Sequence, residues 1–277
     1  MRTLALATVS GAALLASGPL TPAARGGSVL RSDAIMPVRK AYPAPVRLTP
    51  AAYGRPAPGE GPSGAASPTP TPSPAPASAD VREDPVGAAE LLAKVSACTR
   101  ISNGYYRTDE GASPSVPVCG MNGAVFWKAD LDIDCDGEVT KACNADTDPS
   151  FQGDTAFHTS GDRPLDAAEL PYVVVPSRSS MWDFGSAGIK GGSVAAVIHA
   201  GKVEYTVVGD TGPAGIIGEA SYATAEALGI DPDPKSGGTG SGVTYILFKD
   251  SVVSPIESHS AAVTAGDALA KEFLQNN

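Results

Sequence analysis

The chain has 277 residues, with 20 Lys and Arg against 30 Asp and Glu and a net charge of −10. That leaves room for one or two domains and disfavours nucleic acid and anionic membranes as partners. Residues 1–87 hold eight basic and five acidic side chains, which leaves 12 basic and 25 acidic in 88–277, a net of −13. A domain so acidic draws in a cationic partner through long-range attraction, or uses its charge for solubility alone.

In chain order, residues 1–24 read as an export signal. Arg2 supplies positive charge, Leu4 to Ala16 an apolar run too short for a membrane span, and Ala23–Ala24 a small-residue cleavage site. The expectation is therefore a secreted, extracellular protein. From 25 to 85 the chain is rich in Pro, Ala, Gly and Ser, with PTPTPSPAPA at Pro68–Ala77. Such a stretch buries too little apolar surface to offset its ordering entropy and reads as an extended spacer. The folded domain is expected over 86–277.

Four cysteines, Cys98, Cys119, Cys135 and Cys143, fall within 46 residues. An even count in an exported chain argues for two disulfides, and Cys98–Cys119 with Cys135–Cys143 close the short local loops. No CxxC occurs and all three histidines lie outside the cluster, which argues against zinc.

Gly87–Cys98 has helical spacing. Ala124–Asp134 alternates as a strand, with Val125, Trp127, Ala129, Leu131 and Ile133 on one face and Phe126, Lys128, Asp130, Asp132 and Asp134 on the other. Leu170–Ser177 is a β-branched run suited to a buried strand. Ser193–His199 and Lys202–Asp210 read as a hairpin about Ala200–Gly201, with Val203, Tyr205 and Val207 on one face and Thr206, Val208 and Asp210 on the other. A helix ends at Gly229, a strand covers Val243–Lys249, and an amphipathic helix closes the chain at Ser260–Gln275. Short strands dominate and do not alternate with helices, which favours a mainly β barrel with packed helices over a doubly wound sheet.

Chemistry gathers in Val207–Leu228. Asp210 ends one apolar run and Glu219 follows another, with Gly209, Gly212, Pro213 and Gly215 bending the backbone between them. Two carboxylates brought to one cleft wall are what acid/base hydrolysis of a glycosidic bond requires. Each alone reads as easily as a turn former or a helix-dipole partner. Asp132, Asp134, Asp136 and Gly137 match the opening of a calcium loop, but Cys143 stands where that loop needs its bidentate Glu.

The blocks Gly123–Gly137, Leu170–Pro176, Val194–Asp210 and Ile216–Ser221 resemble glycoside hydrolase family 75, the fungal-type chitosanases also found in actinobacteria. The resemblance implies endo-hydrolysis of chitosan with inversion and no cofactor. It places the essential pair on Asp210 and Glu219, and acidic substrate contacts on Asp130, Asp132, Asp134 and Asp136, beside Thr211. The Val207–Ile230 layout is also similar to double-psi β-barrel proteins such as rare lipoprotein A, with Thr211 in place of the Arg of a DRGP-type turn. That implies a double-psi-like six-stranded core. The residue types leave the roles open: Glu has the higher reference pKa and so suits the acid, whereas the barrel analogy suits Asp210 as acid and Glu219 as base. A monomer without metal is expected. Two other readings remain: a cell-wall (peptidoglycan)-binding or lytic barrel module, and a calcium-stabilised adhesion domain.

Overall fold

The computed structural model describes residues 85–277, so the expected export signal and spacer lie outside the described residues. Helix α1 (Ala88–Lys94) opens the described chain, followed by short strands β1 (Thr99–Arg100) and β2 (Cys119–Met121). Then come β3 (Ala124–Asp134), β4 (Tyr172–Pro176), β5 (Val194–His199), β6 (Lys202–Gly212) and β7 (Glu219–Ser221). Helix α2 (Tyr222–Leu228), β8 (Thr239–Phe248) and α3 (His259–Asn276) complete it. Strands pair in the order β3–β7–β4–β6–β5–β8, and β8 returns to β3, closing a six-stranded barrel. The β3–β7 and β4–β6 pairs are parallel and the other four antiparallel, the mixed pairing of a double-psi-like core.

Alternation divides the strand residues between two apolar layers. Val125, Trp127, Leu131, Val173, Val197, Val208, Ala220 and Tyr245 belong to a cluster fed by every barrel strand and by Ala225 and Leu228 of α2. Trp127 stacks on its cross-strand partner Tyr245, ring centroids 5.4 Å apart. Phe126, Tyr172, Val194, Val207 and Ile246 face a second cluster, closed over by Leu91 of α1 and by Ala262 and Phe273 of α3. Gly266 of α3 lets the helix sit directly on Tyr205, whose ring would overlap any Cβ there.

The expected elements form as their chemistry dictates. Ser221 caps α2 by accepting from the Thr224 N–H, and Gly229 ends it at φ 76°. Both anticipated disulfides, Cys98–Cys119 and Cys135–Cys143, are formed. Two differences stand out. β8 begins at Thr239, four residues before its apolar run, because Thr239 pairs with Leu131 past an irregularity in β3. Simple alternation also fails in β6: register shifts from Val173–Val208 to Val174–Asp210, a bulge at Gly209 that turns Asp210 to the face of Tyr172 and Val207 rather than that of Val208. Gly209 permits the bulge, since a Cβ there would run into the Tyr172 ring.

Candidate active site

The bulge decides where Asp210 points. In the parallel β4–β6 ladder Asp210 pairs with Val174. In the antiparallel β4–β7 contact Val173 pairs with Ala220, so Glu219, one residue earlier, falls opposite Val174. Glu219, Val174 and Asp210 therefore stand in one row across three neighbouring strands. All three line a cleft of about 360 Å³ with Asp134, Asp136, Asp148, Thr211, Gly212 and Pro213 among its walls. Among the described residues, no Lys, Arg or His lines it. Larger depressions of about 570 and 500 Å³ bring no two carboxylates together, and one of about 480 Å³ sets Asp146, Asp231 and Asp233 beside Lys235.

The two carboxylates of the row are held differently. Asp210 is buried, and its Oδ1 accepts from the Ala156 N–H at 2.7 Å and the Thr211 N–H at 2.6 Å. Burial raises its pKa and these two bonds oppose the rise by favouring the charged form. Glu219 has burial and the surrounding charges of Asp132, Asp136, Asp210 and Asp130 acting in the same direction, and is pushed up to about 7. Its Oε2 lies over Gly212, where a Cβ would overlap it. A carboxylic acid that keeps its proton near neutrality thus faces, across the row, a carboxylate anchored by backbone donors.

The cleft floor carries further acid. Asp134 follows Ile133 at the end of β3 and its Oδ1 accepts from the Asp136 N–H at 2.7 Å. Asp136 in turn accepts from the Gln152 N–H at 2.6 Å. Burial lifts the pKa of Asp134 well above the usual range and that of Asp136 to about 6. The Cys135–Cys143 bridge stands between them, with both sulfurs in fully buried residues.

The four β3-segment aspartates do not act as one set. Asp134 and Asp136 gather with Asp210, whereas Asp130 and Asp132 gather with Asp109. Neither Asp130 nor Asp132 lines the cleft, and Asp130 is only 3% exposed, which removes it from direct contact with a sugar. The calcium-loop motif does not fold as a calcium loop: Asp132 stands in a different group from Asp134 and Asp136, whose Oδ1 atoms already accept from backbone N–H groups. Thr211 lines the cleft as expected.

Several participants carry no signal in the sequence. Asp148, Ser150 and Gln152 reach the cleft from the irregular acidic loop, whose path depends on turns such as Asp148 N–H to Asn144 O. Ala156 is invisible as a site residue because it contributes only its backbone N–H. Val174 looks like core, and becomes a site residue only through its place between the two acids.

A closed β-barrel with an acid-lined cleft and two carboxylates across one strand row defines a class: a barrel suited to two-carboxylate hydrolysis of a polysaccharide. Residues 131–275 match the family described as fungal chitosanase of glycosyl hydrolase group 75, and the chain belongs to that family, a glycoside hydrolase family. It is 34% identical over 142 residues to an endo-chitosanase of Aspergillus fumigatus, covering 47% of this chain and 60% of that protein. To endo-chitosanase B of Aspergillus oryzae it is 32% identical over 179 residues, covering 57% of this chain and 75% of the relative. Endo-chitosanase C of Aspergillus oryzae is 31% identical over 201 residues, 69% of this chain and 48% of that protein. The chain thus spans from about half to three quarters of these relatives' lengths.

Proposed function

We propose that this protein is a secreted endo-chitosanase that hydrolyses β-1,4 links between glucosamine units with inversion, Glu219 acting as acid and Asp210 as base. The observation that supports it is the Glu219–Val174–Asp210 row in a cleft without cationic side chains. Two strand spacings of about 4.8 Å separate the backbones of the pair. That suits the separation of about 6.5–9.5 Å that leaves room for a water between them.

In this reading the glycosidic linkage lies over Val174. Glu219 donates its proton to the leaving oxygen as the C–O bond breaks, and Asp210 takes a proton from the water that attacks the anomeric carbon from the opposite face. The new hydroxyl at that carbon has inverted configuration, and the two carboxyls return to their starting states by exchanging protons with solvent. The electrostatics favour this assignment over the reverse one suggested by the barrel analogy. Glu219 has its charged form disfavoured from every side, while Asp210 has two N–H donors stabilising its anion. Asp134 and Asp136 offer carboxyl oxygens to the ammonium groups of neighbouring sugars, whose positive charge favours the ionised form of each acid, and Thr211 offers a hydroxyl. The protein works as a monomer without a cofactor, exported by its N-terminal segment.

The test is to incubate the purified protein with chitosan, chitin and peptidoglycan and size the products. The expected result is rapid shortening of chitosan alone, with Asp210→Asn and Glu219→Gln each losing at least a thousandfold in kcat while remaining folded at the assay temperature. Release from peptidoglycan, or near-full activity in either variant, overturns the reading.

A further inference from the structure

Away from the cleft lining, a second set of acids converges. Asp109, Asp130 and Asp132 each place a carboxylate oxygen within 4.8 Å of the other two. Asp130 and Asp132 share a face of β3. Asp109 comes from a turn that is stitched to the segment preceding Glu219: Arg107 N–H donates to Gly215 O and Ile217 N–H to Arg107 O, each at 3.0 Å. The Asp109 Oδ2 also accepts from the Thr108 hydroxyl at 3.0 Å.

The independent sign of a ligand is Asp130. Its residue is 3% exposed, and its buried Oδ1 has no hydrogen-bond partner among the described residues. A carboxyl oxygen removed from water and left without a hydrogen bond is costly. The chain spends a left-handed glycine, Gly218 at φ 121°, to admit this carboxylate, which occupies the place a Cβ would take. Oxygens coordinated at about 2.3–2.6 Å around one ion stand at most about 5 Å apart, so three within 4.8 Å fit a single coordination sphere. Asp109 and Asp132 are open to solvent, which leaves positions for water.

We propose that Asp109, Asp130 and Asp132 bind one divalent cation of the calcium type, a hard ion with all-oxygen ligands. The ion clamps the 107–112 turn to β3 beside the strand that carries Glu219, and it neutralises the like charges that crowd this corner. It is a site distinct from the calcium-loop motif in the sequence, from which it takes only Asp132.

The full chain, stripped with EDTA and returned to chelator-free buffer, is titrated with calcium chloride by calorimetry and by thermal melting. Expected are one ion per chain, half-saturation at or below about 1 mM, the weak end of extracellular calcium modules, and a Tm that rises with calcium. Asp109→Asn, on an exposed turn, weakens binding at least tenfold and removes most of the Tm rise; Asp132→Asn does the same, and gives a second reading should the first variant misfold. Asp136→Asn leaves calcium binding unchanged. The proposal is overturned by no binding at about 1 mM calcium, by unchanged affinity in both Asp109→Asn and Asp132→Asn, by loss of binding in Asp136→Asn, or by glucosamine competing with calcium for the site.

Discussion

Asp132 is the register partner of Glu219 in the parallel pairing of β3 and β7, so the two carboxyl groups share one strand face side by side. Asp132 is the first of the neighbouring charges that, after burial itself, raise the Glu219 pKa to about 7. If Glu219 is the acid, activity requires its proton and falls as pH rises through about 7. Neutralising Asp132 weakens the hold on that proton. In calcium-free buffer, Asp132→Asn is therefore expected to move the alkaline limb of the kcat/KM profile to lower pH by several tenths of a unit or more, leaving the acid limb in place. A pH series on a soluble chitosan oligomer reads this directly, since kcat/KM reports groups of the free enzyme. An unmoved alkaline limb would detach Glu219 from the acid role.

Gly212 governs where the Glu219 carboxyl rests. An added methyl at Gly212 would overlap Oε2 and press on Val174 Cγ1 at 3.2 Å. The overlapped atom is the end of a side chain, so the fold can yield by swinging Glu219 aside. Gly212→Ala is expected to melt within about 2–3 °C of the parent and to lose about a hundredfold in kcat, the scale of a misplaced catalytic group. Comparing Tm with kcat separates this from general damage: a variant that unfolds early would make Gly212 a folding residue instead.

The barrel strands were legible because their residues repeat with period two. The bounds of β3, expected at Ala124–Asp134, hold as they stand, and the Cys pairs are the ones that close the short local loops. What the alternation could not supply was the face of Asp210. One bulge reverses it, and a bulge depends on how β4 meets β6, a contact between segments some 35 residues apart. For the same reason the aspartate run in β3 looked like a single feature, although its members divide between two clusters according to which loop packs over them. Residues acting only through backbone N–H groups, such as Ala156, leave no trace in side-chain chemistry.

Stability should fall as pH rises, unlike that of most proteins with paired carboxylates. A carboxyl whose pKa is higher in the folded chain holds its proton more tightly there. Its contribution is fully present below the unfolded value near 4 and is lost as pH passes the folded value. Asp136, raised to about 6, and Glu219, raised to about 7, both act in this sense, and burial moves Asp134 the same way. The window therefore runs from about pH 4 to pH 7. In EDTA-containing buffer the Tm at pH 5 is expected to exceed that at pH 8 by several degrees, and Asp136→Asn, which keeps an oxygen for the Gln152 N–H, should narrow the gap. A Tm that climbs between pH 5 and pH 8 would mean that these acids are not held in the folded state as their burial requires.

The two disulfides divide between stability and the site. Cys135 stands between Asp134 and Asp136 in the chain, its bridge to Cys143 closes a short loop that includes Asp136, and the loop is further tied by the Cys143 N–H to the Thr140 hydroxyl at 2.9 Å. Cys98–Cys119 lies before the barrel, joining the chain ahead of β1 to β2. Chain entropy assigns about 2–3 kcal/mol to the shorter loop and slightly more to the longer. Replacing both cysteines of either pair by serine is thus expected to lower Tm by about 5–10 °C. Only the Cys135→Ser/Cys143→Ser change frees the acids on the cleft floor, so it alone should raise KM for chitosan, roughly tenfold if two ammonium contacts loosen. Assays well below both melting points read the difference. Equal KM values in the two double variants would show that the bridge holds the fold without positioning Asp134 and Asp136.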